Sequence, residues 1–197
     1  MAGNIKEELR RDLLLRRRAM GREEWLRKSG TAGELLVGLD ALQHASRIHC
    51  YVSMESYREV CTMRILERFS SERKAVFMPY IDRGRMRVAT YMPGHRFVTR
   101  ESGPPVPDPL ILSEEVRFDA VIVPLVGADI RGARIGYGKG WYDRFFESLQ
   151  LNGIRPLRIG LCFGFQIVSE VPSDPWDQFL DLVVTENCIV NCMSGST

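Results

Sequence analysis

The 197-residue sequence predicts an α/β fold in which a largely parallel sheet carries helices on both faces behind an N-terminal helical section. Three observations carry this. Residues 1–39 place apolar side chains at helical spacing, and short β-rich runs separated by turns or helical stretches follow them. Three later runs, FDAVIVPLV (118–126), LRIGLCF (157–163) and LDLVVTE (180–186), are apolar almost throughout, as strands covered on both faces are. Strands alternating with helices favour parallel pairing. The length suits one domain, residues 1–197, with room for a hydrophobic core.

Asn4 followed by Glu7 has the form of a capping box, and Leu9, Leu13 and Met20 continue an apolar stripe, which predicts a first helix over about residues 5–20. A second is expected over about residues 23–39, with Trp25, Leu26, Leu35 and Leu36 turned inward and Gly38 near its end. RIHCYVS (47–53), AVFMPYI (75–81) and MRVATYM (86–92) read as strands, and helices fill residues 60–70 and 141–150. The segment ESGPPVPDPL (101–110) holds four prolines, which lack an amide donor and fix φ. It is expected outside sheet and helix, as an ordered loop or a mobile flap.

The formal charge of +2 demands neither a nucleic acid nor an anionic membrane as partner, so any basic site is local. Five cysteines, Cys50, Cys61, Cys162, Cys188 and Cys192, make an odd set without paired zinc-ligand spacing and read as small hydrophobes or free thiols of a reducing compartment. The first residues combine basic groups with Glu7, Glu8 and Asp12 and lead into no signal-peptide core. No apolar run approaches the roughly 20 residues of a membrane span. A soluble, cytoplasmic protein is expected.

The stretch RIGYGKGWYDRFF (134–146) joins a strand to a helix and alternates Gly136, Gly138 and Gly140 around Lys139. Such loops lie at the carboxyl ends of strands, where open parallel sheets bind ligands. Bare amides, the lysine and a helix amino end all favour phosphate, and Arg134 adds a fork suited to its oxygens. The loop is not a Walker sequence, because Ala133 stands at the first glycine position and Gly140 replaces the hydroxyl residue. Nor is it a dinucleotide fingerprint, since Trp141 stands where the third glycine belongs. From the loop alone, a glycine-rich turn with a solvated lysine explains the pattern equally well. Lys6 and Arg10 add a second signal, being four apart on one face of the first helix, where two cations repel unless an anion lies near.

Taken together, the Lys-x-x-x-Arg of residues 6–10, YVSMESYREVCT, VFMP, FDAVIVPLVGADIRGARIGYGKGWYDR and VPSDPWDQFLDLVVTE make nearly the whole chain resemble the 5-formyltetrahydrofolate cyclo-ligases. The resemblance implies a three-layer, Rossmann-like fold, MgATP as co-substrate and conversion of 5-formyltetrahydrofolate to 5,10-methenyltetrahydrofolate with release of ADP and phosphate. It implies small-molecule substrates; the charge balance predicts no nucleic acid or membrane as partner, and the oligomeric state is left open with a monomer favoured. Lys6, Arg10, Arg134, Gly136, Tyr137, Gly138, Lys139, Gly140, Trp141 and Tyr142 match the ATP-binding positions, with Lys139 and Arg134 expected to be catalytic. Val52, Met54, Glu59 and the stretch Tyr137 to Trp141 are expected at the folate. Glu59 takes its place when Glu59-Val60-Cys61-Thr62 is aligned to the family's Glu-x-x-Thr; without a slightly longer loop, that position falls on Tyr57.

Asp143 and Asp177 match acids associated with Mg2+, an ion that prefers oxygen ligands. Asp143 equally suits a helix amino end, Asp177 a turn after Pro175, and Trp141 the packing of a helix start. Arg96 or Arg100 is a candidate for attracting the folate's glutamate tail. The alternatives are a non-catalytic folate or nucleotide binder, another ATP-dependent enzyme on the same scaffold, and, for PPVPDP, a protein-recognition segment.

Overall fold

The computed structural model describes residues 2–99 and 103–192. Helices α1 (Ala2–Arg18), α2 (Arg22–Val37) and α3 (Asp40–His44) lead into strand β1 (Arg47–Cys50). Then follow α4 (Met63–Ser71), β2 (Ala75–Asp82), β3 (Arg85–Thr90), β4 (Arg96–Val98), β5 (Val106–Asp108), β6 (Leu112–Ser113) and β7 (Ala120–Pro124). The chain continues through β8 (Gly127–Ala128), β9 (Arg134–Ile135), α5 (Trp141–Leu151), β10 (Leu157–Leu161), β11 (Leu182–Val184) and β12 (Ile189–Asn191).

Eight strands form one sheet in the order β12-β11-β10-β7-β1-β2-β3-β6. The five from β11 to β2 are parallel, while β12, β3 and β6 join antiparallel. The predicted parallel, helix-covered sheet is therefore present, with antiparallel edges. The β2–β3 pairing follows from its connection: Arg83 and Gly84, both at positive φ, form a two-residue hairpin, and so short a link can only reverse the strand.

Alternation along the central strands sorts the side chains into two layers. Ile48, Cys50, Ala120 and Ile122 pack with Leu36 of α2 and Leu66 of α4 on one face. Val121 and Val123 pack with Phe145, Phe146 and Leu149 of α5 on the other. Full burial of a side chain such as Phe146 stabilises by about 1.5–3 kcal/mol. His49 points to the α5 side, completely buried beside the rings of Phe118 and Phe145, with neither ring nitrogen hydrogen-bonded among the described residues.

α1 begins at Ala2, so Asn4 lies within the helix and not at its start. Its apolar stripe rests on the β8–β9 hairpin, where Leu13 joins Val126, Ala133, Ile135 and Val171. Gly127 makes this approach possible, because a Cβ there would stand 2.6 Å from Leu13 Cδ1. Leu26, expected inside, is exposed on α2, whereas Trp25 and Leu36 are buried as expected. The proline-rich segment also departs from expectation: Val106–Asp108 pairs with Arg96–Val98 as a two-stranded ribbon. Proline is tolerated there because such a ribbon has an outer edge that needs no donor. Arg100 lies outside the described residues, as does the MSGST tail.

Burial lowers the His49 pKa from 6.5 to about 3. Between those values the unfolded chain binds a proton that the folded chain refuses, so stability is full above about pH 6.5 and falls as pH drops through the window, by up to about 1.4 kcal/mol per pH unit. A His49→Leu variant is expected to lose less melting temperature than the parent between pH 7 and pH 5, read by circular dichroism.

Candidate active site

From β1 the chain passes through α4 to β2 on one side, while from β7 it passes through α5 to β10 on the other. This reversal opens a crevice at the carboxyl ends of β1 and β7, the usual ligand position in such sheets. A cavity of about 500 Å3 occupies it, lined by Tyr51 and Val52 after β1, Pro124 at the end of β7 and the glycine loop between β9 and α5. Every residue assigned from the sequence to the ATP, folate or metal positions lines this cavity. Of the two proposed tail-binding arginines, Arg96 is exposed on β4 and does not line it.

At one end, α1 brings its basic face to the loop. Arg10 Nε donates to the Gly136 carbonyl at 2.8 Å, and its guanidinium lies against Gly138. Gly138 has φ +80°, a conformation that costs other residues roughly 1–2 kcal/mol. Lys6 does not face Arg10 across an empty gap, because its ammonium pairs with Asp174 at 2.8 Å and Asp177 at 2.6 Å. Burial lowers the Lys6 pKa, but the hydrogen bonds and charges of these aspartates outweigh it, and the group stays above its ordinary value.

Arg134, nearly buried, pairs with Asp143 at 2.7 Å and donates to the Gln178 carbonyl. The Gln178 amide returns to Asp143 Oδ1 at 3.2 Å, so the 174–178 loop links both carboxylate clusters. Asp177 closes its own turn by accepting the Asp174 amide at 2.8 Å, the role the turn reading assigned it, and it also holds Lys6. Lys139 is exposed at the rim, and its carbonyl accepts from Arg144 at 2.9 Å.

The opposite wall is apolar, with Val52, Met54, Pro79, Ile81 and Met86, and contains one buried carboxylate. Glu59 accepts the Met54 amide at 2.6 Å on Oε2 and the Tyr137 hydroxyl at 2.5 Å on Oε1. Burial raises its pKa, while Tyr137, the Met54 amide and the Arg17 charge pull it back only in part. Tyr142 lines the cavity with its hydroxyl buried and unpartnered among the described residues, and Trp141 is half-buried at the α5 start.

Sequence reasoning missed Asp174, Trp176 and Arg17. Asp174 and Trp176 lie in a loop without periodicity. Arg17 had a signal: residues 6, 10, 13 and 17 fall on one helical face, so Arg17 shares the buried stripe of Leu13.

Carboxylate oxygens are the donors Mg2+ prefers, and that ion takes one or two of them alongside phosphate oxygens. Asp143 and Asp177 fit that requirement. Among the described residues no group of three or more His, Cys, Asp or Glu side chains forms a metal cage.

A largely parallel sheet with helices on its faces and a switch-point cavity lined by cations, apolar side chains and a buried acid is the architecture of an α/β enzyme. The 5-formyltetrahydrofolate cyclo-ligase family matches residues 2–186. Relatives named 5-formyltetrahydrofolate cyclo-ligase include those of Saccharomyces cerevisiae, 30% identical over 80% of this chain and 83% of that one, and Mus musculus, 28% identical over 93% and 95%. The solved 5,10-methenyltetrahydrofolate synthetase of Aquifex aeolicus superposes with TM-score 0.79 at 25% identity, covering 98% of this chain and 95% of that one. The Mycoplasma pneumoniae synthetase, at 23% identity and TM-score 0.72, covers 92% and 98% and shares the fold. The chain belongs to the 5-formyltetrahydrofolate cyclo-ligase family and is an enzyme of the ligase type.

The loop geometry is testable without substrate. Gly136 has open space around its Cβ position and no positive φ, unlike Gly138. Gly138→Ala is expected to lower stability by about 1 kcal/mol more than Gly136→Ala, measured by denaturant titration.

Proposed function

We propose that the protein closes 5-formyltetrahydrofolate to 5,10-methenyltetrahydrofolate at the expense of ATP, releasing ADP and phosphate. The observation that carries this reading is the single cavity that joins Lys6, Arg10, Arg134 and Lys139 to the Glu59 wall in a chain of this family.

An N5 formyl group is an amide, a poor electrophile whose oxygen is not a leaving group. Attack of that oxygen on the γ-phosphoryl group releases ADP and converts the oxygen to a phosphate ester. N10 then adds to the formyl carbon, the C–O bond breaks with phosphate leaving, the N10 proton passes to solvent and the five-membered ring is closed. Phosphoryl transfer asks the protein for positioning and charge neutralisation more than for covalent help.

In this reading Lys6, Arg10, Arg134 and Lys139 bind the triphosphate with the amides of residues 136–140 and the α5 amino end, whose dipole favours anions. Trp141 and Tyr142 flank the nucleotide. Val52, Met54 and Tyr137 hold the folate ring, and Glu59 accepts from its N–H edge. Asp143 and Asp177 would hold Mg2+, which when bound neutralises phosphate charge. In the protein alone these two acids and their cations satisfy each other, and the triphosphate competes for the cations. The substrates are small molecules, and no nucleic acid enters the reaction.

The test is direct. Purified protein with MgATP and 5-formyltetrahydrofolate should produce the near-ultraviolet absorbance of the methenyl product in step with ADP. Product without ATP, or ADP without folate, overturns the reading. Lys139→Ala should retain the fold and lose about a hundredfold to a thousandfold in turnover; near-normal turnover contradicts its role. Because burial raises the Glu59 pKa, its useful anion is lost at a higher pH than for an ordinary glutamate. kcat/KM for the folate should therefore fall on the acid side above the usual carboxylate range, and Glu59→Gln should abolish that limb while raising KM.

A further inference from the structure

Arg17 is a charged side chain 2% exposed, in the same wall as the pocket yet absent from its lining. Each of its three nitrogens donates a hydrogen bond. Nε donates to the Tyr57 carbonyl at 2.7 Å, Nη1 to the Leu125 carbonyl at 2.9 Å, and Nη2 to the Tyr137 hydroxyl. The Tyr137 ring stands edge-on to Tyr57, with centroids 5.5 Å apart, so its rotation is restricted.

These bonds impose a direction. A guanidinium has no lone pair to offer, so the Tyr137 oxygen can only accept from Arg17. The single hydroxyl hydrogen must then go elsewhere, and the acceptor in reach is Glu59 Oε1. Trp25 Nε1 holds the Glu59 carbonyl at 2.6 Å, and the Met54 amide holds Oε2, so the carboxylate is fixed at both ends of its residue.

We propose that Arg17 is a positioning residue that aims the Tyr137 hydroxyl at Glu59 and thereby keeps this carboxylate an anionic acceptor for the N–H edge of the folate. The inference rests on the folate reading above for its ligand, but the Arg17–Tyr137–Glu59 relay stands on geometry alone.

The groups facing Glu59 are Arg17 from α1, Tyr137 from the glycine loop, Tyr51 after β1 and Tyr142 from α5. The neighbouring Arg58 turns instead to Glu55, at 3.5 Å, and to the Trp25 ring, at 5.1 Å. Arg17 is thus the cation linked to Glu59 through a hydrogen-bonded chain, and such chains polarise their members in a low-dielectric interior. Without it the tyrosine hydroxyl is free to turn away, and proton uptake by the buried carboxylate becomes easier.

The test compares the full-length protein with Arg17→Met, Arg17→Lys and Tyr137→Phe. In Arg17→Met, KM for 5-formyltetrahydrofolate should rise about tenfold or more while KM for MgATP stays within about twofold. The acid limb of kcat/KM should move up by about one pH unit, and Arg17→Lys should recover part of both changes. Independently, 13C nuclear magnetic resonance of the Glu59 carboxyl, without substrate, should show titration at higher pH in Arg17→Met than in the parent. A parent that fails to convert the folate sinks the proposed function but leaves this titration intact as the test of Arg17. An unmoved Glu59 titration, or equal rises in both KM values, overturns the proposal. If Arg17→Met does not fold, Tyr137→Phe decides, since it keeps the Arg17 bonds to the two carbonyls; an unchanged acid limb and Glu59 titration there also overturn it.

Discussion

The packing of α1 on the β8–β9 hairpin, with Leu13 beside the bare backbone at Gly127, is the contact on which the cationic side of the cavity depends. α1 lies on the β8–β9 hairpin there, and a Cβ at position 127 would stand 2.6 Å from Leu13 Cδ1 and force that side chain to shift. The helix carries Lys6, Arg10 and Arg17 along the face that this contact presses down. A pocket formed by the sheet alone would have Arg134 and Lys139 on its loop, but no cations reaching in from above. The first link in the chain from sequence to site is therefore an absence of volume, and the electrostatics follow from it.

Those electrostatics are arranged as ion pairs. Lys6 with Asp174 and Asp177, and Arg134 with Asp143, are partly buried ion pairs whose partners satisfy one another. A buried pair stripped of one member is costly, whereas a pair whose members can both find new partners is not. This explains why so many cations are tolerated around one cavity in a chain with almost no net charge. Lys139 has no such pair among the described residues and stays at the exposed rim.

Much of this was legible beforehand, for identifiable reasons. The uniformly apolar runs around residues 118–126, 157–163 and 180–186 became central parallel strands because burial on both faces leaves no room for polar alternation. The glycine loop stood out because Gly138 and Gly140 take positive φ, which favours glycine. The misreadings share a cause. Asn4 resembles a cap only locally, and the extra turn at Ala2 leaves it inside the helix. Leu26, expected inward on the second helix, lies off the face that Trp25 and Leu36 define. Prolines in residues 101–110 forbid a central strand but not a two-stranded ribbon. Asp174 was invisible because its importance comes from Lys6, separated by 168 positions, and no local pattern encodes such a pairing.

Arg17 shows what periodicity contains when polar residues are included in it. Apolar stripes are counted to find cores, and a charged residue on the stripe is usually discounted, since ionised side chains are almost never fully buried unless paired. Here the exception carries information. Position 17 continues the face of residues 6, 10 and 13, so it must be buried once Leu13 is, and a buried guanidinium must find acceptors for its fork. It finds two carbonyls and a tyrosine hydroxyl, and the hydroxyl can be satisfied only by passing its hydrogen to Glu59. Under the proposed reaction the two ends of the cavity have opposite needs, cations for phosphate and a fixed anion for the folate. One helix face meets both, with Lys6 and Arg10 acting directly and Arg17 acting through a tyrosine, so that docking α1 assembles both ends in a single packing event.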